Sequence, residues 1–180
     1  MSSSKNQMRM LCHESGAHPH FSLKVHNFRR ICKMPTLYVM VGIPASEKST
    51  WASHQKNAVV VSSDAIREEF FGSAKVQKSP KMVFAEFHQR IRLALAAGRD
   101  VIADATHVSL NSRLETLRNV PTGTTKVAVL ADVPLEKALQ NNLKRERHVP
   151  EHVIRRMFQR LCHEPLSLDE GFDEIICLKF

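Results

Sequence analysis

Thr36-Leu37-Tyr38-Val39-Met40-Val41-Gly42-Ile43-Pro44-Ala45-Ser46-Glu47-Lys48-Ser49-Thr50-Trp51-Ala52 is the stretch on which the reading of this chain turns. A short β-prone, apolar run stops at a glycine, and a helical pattern follows within a few residues. The loop between them matches G-x-x-x-x-G-K-[ST] with one mismatch: Glu47 stands where the second glycine belongs. The pattern has a definite chemistry. Loop and helix N-terminal amides surround phosphate oxygens, a lysine places positive charge on the β and γ oxygens, and a hydroxyl holds Mg²⁺. Lys48 and Ser49 fit the last two roles. Gly42, Pro44, Ala45, Ser46, Glu47, Lys48, Ser49 and Thr50 are therefore the candidate ATP-binding residues, with Ser49 the candidate Mg²⁺ ligand.

The mismatch has physical weight. A glycine beside bound phosphate lets the backbone approach closely, and a β-carbon crowds that contact. Glu47 also adds a carboxylate. At roughly 5 Å from a phosphate charge and an effective dielectric of about 20, one repulsion amounts to about 3 kcal/mol before screening. A surviving penalty of about 2 kcal/mol weakens binding roughly 30-fold. The side chain swings into solvent, or the residue is a single-base lesion in the coding sequence, or catalysis is impaired. All three readings stand at this point.

Outward from the loop, short apolar runs alternate with helical patterns, the signature of a parallel sheet covered by helices. Thr36 to Val41, Ala58 to Val61, Asp100 to Ala103, Lys126 to Ala131 and Glu174 to Leu178 read as five strands, apolar enough to be buried on both faces. Phe84, Phe87, Ile91 and Leu95 form one helical stripe, and Val153, Ile154, Met157, Phe158 and Leu161 another. Both stripes read as core. Pro150 sits where a helix starts, a position that tolerates its missing N–H. The expected architecture is a three-layer α/β sandwich of the phosphate-loop NTPase type, its five-stranded parallel sheet ordered 2-3-1-4-5.

Two further acids fall just past strand ends, where open α/β sheets place ligands. Asp64 and Arg67, at i and i+3, share a helix face. The carboxylate can accept the proton of an attacking hydroxyl while the guanidinium grips an acceptor phosphate. Asp104 follows Val101-Ile102-Ala103 and is placed to order Mg²⁺-bound water or orient an arginine. Farther on, Asn141-Asn142-Leu143-Lys144-Arg145-Glu146-Arg147-His148-Val149-Pro150 is a basic turn after an amphipathic helix. Such a turn can act as a mobile lid that supplies cations over a moving phosphoryl group. Arg145 is the first choice for that role and Arg147 the second. His88, His107, His152 and His163 read as structural.

Together these residues resemble the 5′-hydroxyl polynucleotide kinase branch of the phosphate-loop kinases, including the kinase module of phage-type end-healing enzymes. The likeness spans Pro35 to about Asp173. It rests on Gly42 to Ala52, the Asp64-x-x-Arg67 pair, the Asp104-Ala105-Thr106 turn followed by Arg113, the Lys144-Arg145…Val149-Pro150 lid and Glu170-Gly171-Phe172-Asp173. The resemblance implies Lys48, Asp64 and Arg145 as catalytic residues, with Asp64 the general base. It implies Arg67, Asp104 and Arg113 on the substrate side, Arg145 and Arg147 in the lid, and ATP, Mg²⁺ and nucleic acid 5′ ends as ligands. Three departures stand out: Glu47, Asn141 where the phage-type enzymes tend to have another lid arginine, and His107 in place of an asparagine. The segment from Trp51 to Ser63 is also about one helical turn shorter than usual.

At 180 residues the chain has room for one domain, so a second enzyme domain is not expected. Twenty-six Lys and Arg against 18 Asp and Glu give a net charge of +8, but six of those bases and one acid lie in residues 1–33. The remainder carries a surplus of only +3, which permits an anionic substrate without demanding one. Residues 1–33 show no sustained period and read as a basic, disordered tail, with residues 34–180 the kinase domain. Zinc binding by Cys12, His13, His18, His20, His26 and Cys32, an organelle-targeting role, or an upstream extension of a frame that starts at Met34 are the other readings of the tail. Four separated cysteines and the lack of any long apolar run suit a reduced, cytoplasmic protein with no membrane span. The single Trp and single Tyr argue against a broad stacking platform for single strands. The expected reaction is transfer of the γ-phosphate of ATP to a hydroxyl, foremost the 5′-OH end of DNA or RNA. A small-molecule or tRNA-linked hydroxyl kinase, and a nucleotide-binding protein inactivated by Glu47, are the alternatives.

Overall fold

The computed structural model describes residues 34–74 and 78–179, so the expectations placed on residues 1–33 lie outside it. The described residues belong to one compact unit. In chain order the elements are β1 (Thr36–Val41), α1 (Lys48–His54), β2 (Val59–Ser62), α2 (Ser63–Phe71), α3 (Pro80–Ala96), β3 (Val101–Asp104), α4 (Leu110–Arg118), β4 (Thr125–Asp132), α5 (Leu135–Leu143), α6 (Glu151–His163) and β5 (Glu174–Lys179). A single 3-10 turn at Leu168–Glu170 precedes β5. All strand pairings are parallel, and the order is β2-β3-β1-β4-β5, as the sequence pattern predicts.

Alternation along β1 explains the layers. Leu37, Val39 and Val41 face one side and pack with Ile66 of α2 and with Val83, Phe87, Ile91 and Leu95 of α3. Met40 faces the other side, with Ala52 of α1, Ile102, Val127 and Val129. The predicted stripe on α3 is the buried face of that helix, and its Pro80 occupies the first turn, where no N–H is needed. A third cluster joins Ile43 of the loop after β1 to Ala138 of α5 and Ile154 of α6. That cluster seats the two helices flanking the basic turn against the phosphate loop.

The limits of β1 are those expected and the other strand ends shift by at most one residue, while β2 and β5 are less buried than the continuous apolar runs suggest. Both are edge strands, and Val60 is exposed on β2. An open hollow of ≈ 630 Å³ beside β2 is lined by Val60, Leu93 and Arg99 among others, and none of the phosphate-loop residues lines it.

Candidate active site

The candidate site lies at the carboxyl ends of β1, β3 and β2, the three adjacent strands at the centre of the sheet and its near edge. The loop after β1 is held by its own polar groups. Ser46 Oγ donates to the Ile43 carbonyl at 2.8 Å, and Lys48 Nζ donates to the same carbonyl at 2.6 Å and to Ser46 Oγ at 3.1 Å. Gly42 N donates to the Thr106 carbonyl at 2.9 Å, tying this loop to the one after β3. At Gly42 φ is 152°, and an added Cβ would meet Ser46 Oγ at 2.9 Å and the Ala131 carbonyl oxygen at 3.1 Å, so the position requires glycine.

Glu47 caps α1 with φ 65° and ψ 17°, the left-handed conformation that a glycine adopts freely. The β-carbon costs roughly 1–2 kcal/mol there, yet the carboxylate is directed to the lid: Glu47 Oε1 accepts from Asn141 Nδ2 at 3.2 Å. The same Nδ2 donates to the Ala45 carbonyl at 3.3 Å. The side chain thus neither extends into solvent nor stands without a partner.

Lys48 is nearly buried, and loss of hydration pulls its ammonium down to about 8; the nearby charge of Arg145 adds to that, while Asp104 and Asp64 oppose it. Those influences place Lys48, both acids and Arg145 in one electrostatic neighbourhood. Asp104 is drawn the other way: burial raises its pKa, with Lys48 and the Ser49 and Ser62 hydroxyls opposing. Ser49 Oγ donates to Asp104 Oδ2 at 3.2 Å. A hydroxyl beside a carboxylate is a hard-oxygen donor set suited to Mg²⁺, which ordinarily completes its shell with phosphate and water rather than a protein cage. Among the described residues no group of three or more His, Cys, Asp or Glu is placed to hold a metal ion.

Asp64 lies in the first turn of α2, two residues after Ser62, which pairs in register with Asp104. Both of its carboxylate oxygens are engaged: Oδ1 accepts from Arg67 at 2.8 Å, and Oδ2 from Arg147 at 2.8 Å. Arg67 is held by more than this pair. Its guanidinium also donates to the Ser63 carbonyl at 3.4 Å, and its Cζ lies 5.9 Å from the centroid of the Phe84 ring. Of the two lid arginines, Arg147 reaches Asp64, while Arg145 stays exposed and acts on Lys48 through its charge.

Arg113 is not brought to this group. It is fully buried, its Nε and Nη2 forming a fork with Glu170 at 2.5 and 2.8 Å, and it donates further to the carbonyls of His107 and Glu164. The geometry makes it a strut between α4 and the turn before β5, with four of its five N–H donors on fixed partners and no surface open to a substrate. His107 is structural in a way its sequence neighbours do not show. Nδ1 lies 2.8 Å from the Met40 carbonyl, which can only accept, so Nδ1 carries the proton; Nε2 lies 3.1 Å from Thr116 Oγ1. His88 Nε2 touches the same hydroxyl at 3.2 Å. Complete burial pulls His107 down to about 4.

Sequence reasoning passed over Asn142. Its amide exchanges two hydrogen bonds with the backbone of Val149, Nδ2 to the carbonyl and Oδ1 from the N–H, each 2.9 Å, closing the basic turn on itself. The only signal was an Asn-Asn pair at a helix end. Ser62 was likewise unmarked and Phe84 was read only as core, since their partners become neighbours only in the fold.

A family model described as "AAA domain" matches residues 37–165. No curated protein matches the chain in sequence. Among solved structures, the Pnkp1/Rnl/Hen1 RNA repair complex aligns with a TM-score of 0.66 at 23% identity, covering 78% of this chain and 47% of that one. A second structure of the Pnkp1/Rnl/Hen1 complex gives 0.56 at 25% identity, over 65% and 40%. A gluconokinase from Sinorhizobium meliloti 1021 gives 0.53 at 15% identity, over 81% and 82%. The chain spans less than half the length of the first two. Sheet order, loop geometry and the family match agree: the chain belongs to the AAA domain family, and its fold is that of the phosphate-loop kinases, polynucleotide kinase-like structures among them.

Proposed function

We propose that residues 34–180 form an ATP-dependent phosphotransferase domain that passes the γ-phosphate to a hydroxyl, foremost the 5′-OH end of DNA or RNA. The observation that carries this reading is the meeting of two half-sites. Lys48, Ser49 and Asp104 stand at the ends of β1 and β3, and Asp64 with Arg67 stands at the end of β2, close enough for Asp64 to act on the Lys48 ammonium. A donor site alone would suit any nucleotide binder. A carboxylate and guanidinium beside it suit an acceptor that carries both a hydroxyl and a phosphate.

In this reading Asp64 takes the proton as the acceptor oxygen bonds to the γ-phosphorus, and the bond to the β,γ-bridging oxygen breaks to leave ADP. Each Asp64 oxygen keeps a second lone pair, so it can accept that proton with Arg67 and Arg147 in place. Arg67, backed by Phe84, holds the acceptor phosphate. Lys48 offsets charge on the β and γ oxygens, and Arg145, with Arg147 beside it, supports the group in transit. Ser49 and Asp104 would hold Mg²⁺, directly or through water, and the ion when bound supplies charge neutralisation on the phosphates. The exposed, free thiols of Cys162 and Cys177 suit a reducing, cytoplasmic setting. Membership of a repair assembly like that of the Pnkp1 relatives is part of the same proposal.

A small-molecule hydroxyl kinase is the second reading, favoured by the gluconokinase likeness, which covers most of both chains. The test is transfer of label from γ-labelled ATP with Mg²⁺ to a 5′-hydroxyl oligonucleotide, with Asp64→Ala and Glu47→Gly alongside. Labelling by the protein and by the glycine variant, lost by about 10²- to 10⁴-fold in Asp64→Ala, is the expected outcome. Labelling by the glycine variant alone makes this chain a disabled copy. Labelling of sugars or nucleosides but of no oligonucleotide favours the second reading.

A further inference from the structure

Two of the three departures from the kinase pattern touch each other. Glu47 sits in the phosphate loop and Asn141 sits near the end of α5, 94 residues away, and the carboxylate of one accepts a hydrogen bond from the amide of the other. We propose that Glu47 is a positioning residue for the lid: its carboxylate, through Asn141, fastens the end of α5 to the phosphate loop and holds the basic turn closed before any nucleotide arrives.

The contacts form a continuous path. Asn141 Nδ2 bridges Glu47 Oε1 and the Ala45 carbonyl, so it grips side chain and backbone of the loop together. The next residue, Asn142, is buried and clamps Val149 by two hydrogen bonds, which fixes the chord of the turn. Within the turn Arg147 reaches across to Asp64. The lid is thus fastened at its root to the donor loop and at its tip to the acceptor carboxylate. Root and tip differ in strength of constraint: the root contacts are half-buried, whereas the tip pair is open to water.

This arrangement also gives a reason for the left-handed backbone at Glu47. A glycine relieves the local strain but offers no acceptor to Asn141, so the side chain is retained against its own backbone preference. The inference goes beyond the proposed reaction and holds for any acceptor, since it concerns the nucleotide-free lid.

Hydrogen exchange of backbone amides 144–149 tests it, on the nucleotide-free full chain and on Glu47→Gly, Glu47→Gln and Asn141→Ala. Opening of the lid is expected to rise about fivefold in Glu47→Gly, the effect of losing one net hydrogen bond, and by at least as much in Asn141→Ala, which loses two. Glu47→Gln keeps an accepting oxygen and should restore exchange to within about twofold of the parent. Because Gln lacks the charge, it also separates the hydrogen bond from the charge of the carboxylate. The proposal is overturned if Asn141→Ala leaves exchange unchanged, or if Glu47→Gln opens the lid as far as Glu47→Gly. Neither readout requires catalysis, so failure here is distinct from failure of the kinase reading.

Discussion

Two arginine–carboxylate pairs of this domain could hardly differ more. Arg113 and Glu170 are 0% and 6% exposed and are joined as a fork, while Arg147 and Asp64 are 30% and 52% exposed and are joined by one contact. The kinase-like pattern nominates Arg113 for the substrate side, Asp64 as the general base and Arg147 for the lid. Burial separates their roles. Arg113 is met by fixed partners on both Glu170 oxygens and two backbone carbonyls, which leaves it little to offer a ligand. An exposed pair costs little to break, and its members can trade each other for a substrate.

The contrast can be broken most visibly at Arg113. Arg113→Ala strands Glu170 in the interior and should lower unfolding free energy by about 3–5 kcal/mol in a denaturant titration; a loss under about 1 kcal/mol would mean the fork is not a strut. His107 sharpens the same side of the comparison, since its carbonyl is one of the Arg113 acceptors. Its imidazole is held near 4 in the folded protein against an ordinary value near 6.5. The unfolded chain therefore binds the extra proton first, so stability is unaffected above about pH 6.5 and falls as pH drops from there towards 4, by up to about 3 kcal/mol. His107→Asn should flatten that part of a stability–pH profile. At the exposed pair, Arg147→Ala should shift stability by less than about 1 kcal/mol while altering the acceptor KM or kcat in the labelling assay; a large loss of stability would erase the distinction.

Much of the fold was legible because it depends on local pattern. The apolar runs gave five strands, the glycine-to-lysine loop placed β1 at the centre, and the observed sheet order follows. The loop residues themselves were readable for the same reason, lying within a dozen positions of one another. Arg113 was misplaced because its partner is 57 residues away and nothing in a sequence reports that a charge is buried. Glu47 was left between repulsion, a swing into solvent and a coding lesion because its charge is visible in the sequence and its direction is not; the amide that donates to it lies on another helix. Asn142 was missed since a paired asparagine at a helix end is an ordinary turn signal. Electrostatic roles fixed by distant neighbours are what the pattern withholds.

The phosphate loop carries two positions where its motif asks for glycine, and the structure gives them unequal standing. At Gly42 the obstacle is matter: the backbone of β4 and a hydroxyl already fill the space a methyl group would take. At Glu47 the obstacle is only torsional, and a side chain that finds an acceptor's use can live with it. A codon drifting at the first position would meet a closed door, whereas the second is negotiable ground. Departures from this motif are therefore better judged by which glycine is lost than by how many.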